Sequence, residues 1–166
     1  MEKPIRNAVR CYVIKDNKVV VIKYKKGSKK EGYYDIPGGK IEEGENPKQT
    51  AIREMKEETG MSIKDLRHKG NMIIEYPDRK YVFDVLITNE FEGEPQEFKD
   101  NTAQWIEIDK LLKEDKLLSC IMILNRFFIK GLLDDNKEFD MYSAVDEQEN
   151  VLDINYTIKS REKNYD

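Results

Sequence analysis

Histidine is nearly absent from this chain, with one, His68, in 166 residues. A zinc site built on several histidines is thereby excluded. A serine–histidine triad has little support, because His68 sits in the polar run KDLRHKG with no partner in view, which suits a surface or strand-end position. Cysteine is almost as scarce. Cys11 and Cys120 lie in apolar surroundings without CxxC spacing, which reads as two reduced core thiols. No apolar run approaches the length of a membrane span, and the N-terminal MEKPIRNAVR lacks the apolar segment of a signal peptide. The expectation is a cytoplasmic protein with no membrane partner. Lys and Arg total 29 against 33 Asp and Glu, for a net charge of −4, and no basic block stands out. Binding a nucleic-acid backbone needs clustered cations, so no nucleic-acid polymer is expected as a partner. Repeats and low-complexity tracts are lacking too. The length suits one domain, 1–158, with 159–166 as a frayed tail. Nothing here separates a monomer from a homodimer.

The richest stretch runs from Gly39 to Met61, GKIEEGENPKQTAIREMKEETGM. Asn46 can cap a helix, Pro47 suits its first position, and Gly60 can take the left-handed conformation that ends it. At about 100° per residue, Glu54, Glu57 and Glu58 share one face of that helix. Ala51, Ile52, Met55 and Thr59 form an adjoining face able to pack on a sheet, while Gln49 and Lys56 point to water. Like charges one turn apart repel by a few tenths of a kcal/mol per pair. A bare ExxEE is more often a solvated acidic face. The sharper reading is a site for a hard divalent cation, which takes carboxylate oxygens and keeps waters that a phosphate can replace.

The spacing favours the sharper reading. Gly39, five residues, Glu45, seven residues, Arg53-Glu54, Met55, Lys56, Glu57-Glu58, Thr59, Gly60 and Met61 match the Nudix hydrolase signature at every fixed position. The preceding YYDIPGGK, Tyr33 to Lys40, also resembles that family's lead-in. The resemblance implies a Nudix fold: an α/β/α sandwich with a mixed central sheet, the signature helix and a C-terminal helix on opposite sides. It implies hydrolysis of a phosphoanhydride in a nucleoside diphosphate-X substrate, with Mg²⁺ or Mn²⁺. Glu54, Glu57 and Glu58 would hold the metal, with the Gly39 carbonyl as a further ligand, and Glu54 would serve as general base. Glu45 and Arg53 would pair and anchor the loop to the helix, although Arg53 could instead make an exposed pair with Glu57. Asp100 and Glu97 are weaker candidates for an additional acidic ligand or base.

The remaining elements follow in order. Ile5–Ile14 and Val19–Tyr24 read as a hairpin around Lys15–Lys18. Lys25–Gly32 is a basic loop, either solvated or reaching substrate phosphates. Tyr34 and Asp35 are candidate substrate contacts. Met61–Tyr76 supplies one or two strands, and Tyr81–Thr88 is a buried strand with Tyr81, Phe83, Val85 and Ile87 on one face. The acidic loop Phe91–Asp100 precedes a strand, Ala103–Ile108, whose Trp105 reads as core ahead of a base-stacking platform. Asp109 can cap a short helix to Leu112, and Ser119 a longer apolar one to Leu133, with Met122, Phe127 and Phe128 as core or as the wall of a base pocket.

Alternation in Glu138–Val145 and Val151–Ile158 argues a closing hairpin. A helix followed by such a hairpin resembles the MutT-type subgroup, which acts on oxidised purine nucleoside triphosphates such as 8-oxo-dGTP. The substrate is therefore expected to be a small nucleotide. ADP-ribose, a dinucleoside polyphosphate, or a binding-only regulatory role are the alternatives.

Overall fold

The structure is a computed structural model that describes residues 2–118, 134 and 136–160. Its centre is a mixed sheet. Eleven strands are defined: β1 (Ile5–Lys15), β2 (Lys18–Tyr24), β3 (Tyr34–Asp35), β4 (Gly38–Lys40), β5 (Ser62–Lys64), β6 (Arg67–Glu75), β7 (Lys80–Thr88), β8 (Glu90–Glu92), β9 (Asn101–Glu107), β10 (Lys137–Val145) and β11 (Val151–Ser160), with helices α1 (Pro47–Thr59) and α2 (Ile108–Leu111) among the described residues. The main sheet runs β11-β10-β6-β7-β1-β2-β3, with β4 also on β1 and β9 also on β2; β5 and β8 pair separately.

β1 and β2 are joined by a tight turn whose central residues, Asp16 and Asn17, have φ of 52° and 61°, as a type I′ hairpin requires. The two strands then part after two residue pairs. β1 continues as the parallel neighbour of β7 from Ile5 to Val13, while β2 turns to β9 and β3. This splay opens one end of the sheet, and β3 and β4 fill it.

Alternation along the strands sorts the core into two layers. Val9, Cys11, Val13, Val20 and Leu86 pack beneath α1 against Ala51 and Met55. Ala8, Tyr12, Met72, Phe83, Val85 and Phe139 form the other layer, with Leu111 and Leu118. The face of α1 that meets the sheet is Thr50, Ala51, Met55 and Thr59, whereas Ile52 is 44% exposed, so the helix sits rotated from the face the sequence suggests. Cys11 is fully buried and burial pushes its thiol up to about 12, as an inert core thiol should be. Cys120 and the expected Ser119–Leu133 helix, with Met122, Phe127 and Phe128, lie outside the described residues.

Three smaller expectations change. The short helix α2 has Glu107 at its N-cap without a side-chain bond, and Asp109 stands inside its first turn. β11 includes Lys159 and Ser160. His68 has a partner after all: its Nε2 lies 2.8 Å from Asp84 Oδ1 on the neighbouring strand. The hydrogen bond to Asp84, with smaller help from Asn71 and Glu138, raises the His68 pKa against the opposing effect of burial. The pair therefore contributes stability in full below the unfolded value, about 6.5, and loses it as pH rises through the folded value. Urea titrations at pH 6 and pH 9 should show a loss of at most about 1 kcal/mol, because the pair is half-exposed. Asp84→Asn should remove that difference, and an unchanged pH dependence would reject the assignment.

Candidate functional site

Helix α1 is held at both ends by local chemistry. The Asn46 side chain accepts from the Gln49 amide, and the Gln49 side chain reaches back to the Asn46 amide, so Gln49 completes a capping box instead of pointing to water. At the far end Gly60 has φ 81°, and its N–H donates to the Lys56 carbonyl. Between these caps, Arg53 ties the helix to the loop before it. Its Nε donates to Glu45 Oε2 at 2.8 Å and one Nη to Glu45 Oε1 at 3.0 Å, while the same Nη reaches the Lys40 carbonyl at 3.2 Å. The Glu42 amide and Thr50 hydroxyl also donate to Glu45. Arg53 above all holds the Glu45 carboxyl down to about 2. The other Nη of Arg53 touches Glu54 Oε1 at 3.0 Å and Glu57 Oε2 at 3.2 Å. The exposed pair with Glu57 is thus the weakest part of a larger hub.

The three glutamates are not equivalent. Glu54 and Glu58 come together beside Gly38 and Gly39 of β4, and a Cβ at Gly39 would stand 2.5 Å from the Glu54 carboxyl carbon. Burial first, then the hydrogen bond and charge of Glu54, raise the Glu58 pKa well above the usual carboxylate range, with Arg10 opposing. Glu57 stays more exposed, its side chain at 58%, and leans on Arg53. Among the described residues no three acidic or histidine groups close on one point. The donor set nevertheless fits a hard divalent cation. Glu58 Oε2 is buried without a hydrogen-bond partner, next to a second carboxylate, which is the arrangement an added positive charge would relieve.

Glu58 and Gly39 open onto a cleft of about 250 Å³ that runs along β1. Its walls include Arg10, Tyr24, Asp35, Tyr81 and Phe83. Asp35 is 3% exposed; its Oδ1 accepts from the Ile36 amide at 2.8 Å, its Oδ2 from the Tyr24 hydroxyl at 3.2 Å, and Arg10 Nε lies 3.8 Å away. Burial and the charge of Asp35 push the Tyr24 phenol upward, so it stays a donor. Arg10 also stacks 4.8 Å above the Phe83 ring. A second, adjoining hollow shares Arg10, Asp35, Tyr81 and Phe83 and extends to Tyr76 and Arg79, whose guanidinium lies 4.0 Å above the Tyr76 ring.

The other sequence candidates fall elsewhere. Tyr34 is buried in the core, with Lys23 over its ring. Glu97 pairs with Lys25 at 2.7 Å, and Asp100 is exposed with its carbonyl on the Lys25 amide; neither lines the cleft. Trp105 packs on Phe91 in the α1 layer, away from the cleft. Arg10 and Tyr24 escape the sequence reading, although an arginine inside the apolar run Ala8–Ile14 is itself a signal: it shares the parity of Ala8 and Tyr12.

The site thus joins a mixed sheet, a helix with two close carboxylates, the glycines of β4 and an aromatic, charged cleft. Residues 4–119 match the NUDIX domain model, and the chain belongs to the Nudix family. It is 36% identical over 91 residues to an oxidized purine nucleoside triphosphate hydrolase from Danio rerio, covering 51% of this chain and 58% of that relative. It is 26% identical over 113 residues to an 8-oxo-dGTP diphosphatase from Escherichia coli, covering 68% of this chain and 88% of the relative. The fold resembles the crystal structure of a MutT protein from Bacillus halodurans with TM-score 0.75 at 21% identity, over 92% of this chain and 97% of the other. Nudix hydrolases generally use divalent metal ions. Among the described residues no helix is long and apolar enough to cross a membrane.

Proposed function

We propose that the chain hydrolyses a purine nucleoside triphosphate carrying an oxidised base, such as 8-oxo-dGTP, to the monophosphate and pyrophosphate, using Mg²⁺ or Mn²⁺ in the cytoplasm. The observation that carries this reading is the half-buried Glu54–Glu58 pair, whose Glu58 opens onto a cleft walled by Tyr81, Phe83, Arg10 and Asp35. The names of the Danio rerio and Escherichia coli relatives support the choice of substrate class.

Glu54 and Glu58, with Glu57 and the Gly39 carbonyl, would hold the cation. Bound there, a divalent ion offsets charge on the phosphate oxygens and makes water a better nucleophile. The Glu54 carboxylate accepts the proton of the attacking water as its oxygen bonds to phosphorus and the anhydride oxygen leaves with pyrophosphate. Arg53 and Glu45 position Glu54 by locking loop to helix, and take no part in bond making. Tyr81, backed by the buried Phe83 stacked against it, offers the base an aromatic surface, while Asp35 and Arg10 offer an acceptor and a donor for its polar edge. Positioning and electrostatics suffice for phosphoryl transfer to water, with no covalent enzyme intermediate.

A nucleotide panel with Mg²⁺ and product analysis tests this reading. 8-oxo-dGTP should give monophosphate and pyrophosphate, and a chelator should abolish turnover. Preferred release of AMP and ribose phosphate from ADP-ribose would replace the substrate assignment. Binding across the panel without turnover would reject hydrolysis.

A further inference from the structure

We infer that Arg6 holds the terminal phosphate of the substrate, and the pyrophosphate that leaves, so that the chain selects nucleoside triphosphates over diphosphates. The inference rests on the proposed reaction and adds a residue that lies outside the Nudix signature.

Strand parity puts Arg6 on the cleft. Side chains two apart on a strand share a face, and so do paired residues on neighbouring strands. Ala8 and Phe83 stand opposite each other in one core layer. Arg6 precedes Ala8 by two residues and faces Tyr81, while Lys40 on β4 faces Ala8. Arg6 and Lys40 accordingly line the cleft that Glu58 and Gly39 open onto. They are diagonal neighbours across β1 and β4, about 7–8 Å apart at their Cα atoms. Both are exposed, and neither side chain makes a hydrogen bond or ion pair among the described residues. The other arginines near the site are engaged: Arg53 by Glu45 and Glu54, Arg10 over Phe83, Arg79 over Tyr76. Tyr81, although opposite Arg6, stacks on Phe83 and has Arg79 at 5.7 Å from its ring. Two neighbouring cations without an acid of their own raise the local concentration of a polyvalent anion.

Position decides which part of the nucleotide that anion is. Arg10, the group offered to the base, stands opposite Gly38, and four strand residues, about 13 Å, separate it from Arg6. Gly39, with the Glu54 carboxyl against it, pairs with Val9 between the two arginines. A nucleotide whose base meets Arg10 and whose reacting phosphorus meets the carboxylates therefore sends its last phosphates toward Arg6. A guanidinium suits that end, because its planar fork can donate to two phosphate oxygens at once. A nucleoside diphosphate ends one phosphate short of it.

Calorimetric titration of the full chain with inorganic pyrophosphate and Mg²⁺ reads the contact without turnover. Arg6→Gln should weaken pyrophosphate binding about tenfold, the loss of roughly one charge-assisted hydrogen bond, and leave 8-oxo-dGMP binding within about twofold. Arg6→Lys keeps the charge but not the fork, and should recover part of that loss. In turnover, Arg6→Gln should raise KM for 8-oxo-dGTP about tenfold more than KM for 8-oxo-dGDP. Melting temperatures within about 2 °C of the wild type report that both variants fold. Pyrophosphate affinity unchanged in Arg6→Gln overturns the inference, as does a wild type that binds no pyrophosphate. A KM rise shared equally by triphosphate and diphosphate also overturns it. Pyrophosphate held through Arg6 by a chain that turns over no 8-oxo-dGTP rejects the oxidised-purine substrate instead, and keeps Arg6 as the phosphate contact.

Discussion

Glu58→Gln is expected to lower kcat about a thousandfold, comparable to the loss of one preorganised electrostatic group at a transition state, while leaving the fold intact. Glutamine matches glutamate in shape and keeps an N–H that can donate to Glu54. What it loses is the ability to become an anion. Within the protein, Glu58 is protonated far above the ordinary carboxylate range because burial and Glu54 both oppose its charge. The neutral amide removes that conflict, so the variant should melt within about 2 °C of the wild type, a shift smaller than 1 kcal/mol would produce in a domain of this size. Binding of Mn²⁺ should weaken in parallel with kcat. Turnover within about threefold of wild type, with fold preserved, would remove Glu58 from the reaction. Glu57→Gln is the instructive companion. Its carboxylate is more exposed and leans on Arg53 at 3.2 Å, so its loss should be the smaller of the two.

That ranking of the glutamates is not legible in the signature. Residues at i, i+3 and i+4 share an arc of the helix, but the sheet edge cuts through that arc and covers Glu54 and Glu58 while leaving Glu57 outside. The same rotation buries Thr50 and exposes Ile52. Features set by neighbours in sequence are legible: the Asn46 and Gly60 caps, the Asp16-Asn17 turn, the parity of Tyr81, Phe83, Val85 and Ile87, and the Glu45–Arg53 tie that the Nudix spacing implies. Features set by distant pairing are not. β1 reads as half of a hairpin, yet its long partner is β7, parallel and 75 residues away, with Ile5 opposite Lys80. Only that pairing sets Arg10 over Phe83, and only the return of β3 to β2 sets Asp35 beside Tyr24. A cleft assembled from β1, β2, β3, β4, α1 and β7 leaves no local pattern to find.

Two neighbouring glycines should separate folding from function. Alanine at Gly38 would place its Cβ 2.0 Å from the Val9 carbonyl oxygen, a backbone atom within the β1–β4 pairing of Arg10 with Gly38 and Val9 with Gly39. Neither strand can yield without losing that pairing, so Gly38→Ala should cost about 3 kcal/mol or more, at the upper end of overpacking. Alanine at Gly39 meets a different obstacle. Its Cβ would lie 2.5 Å from the Glu54 carboxyl carbon, the far end of a flexible side chain. Glu54 can swing away, so Gly39→Ala should change stability by less than about 1 kcal/mol, within the range of tolerated substitutions. The swing breaks the contacts of Glu54 with Glu58 and Arg53, and a displacement of about 1 Å at a reacting group can cost about a hundredfold in rate. Urea titrations paired with kcat on 8-oxo-dGTP decide the matter: Gly38→Ala should fail in the first measurement and Gly39→Ala only in the second. A Gly39→Ala enzyme of full activity would mean that Glu54 need not stand where the glycine lets it stand, and the general-base role would pass from it.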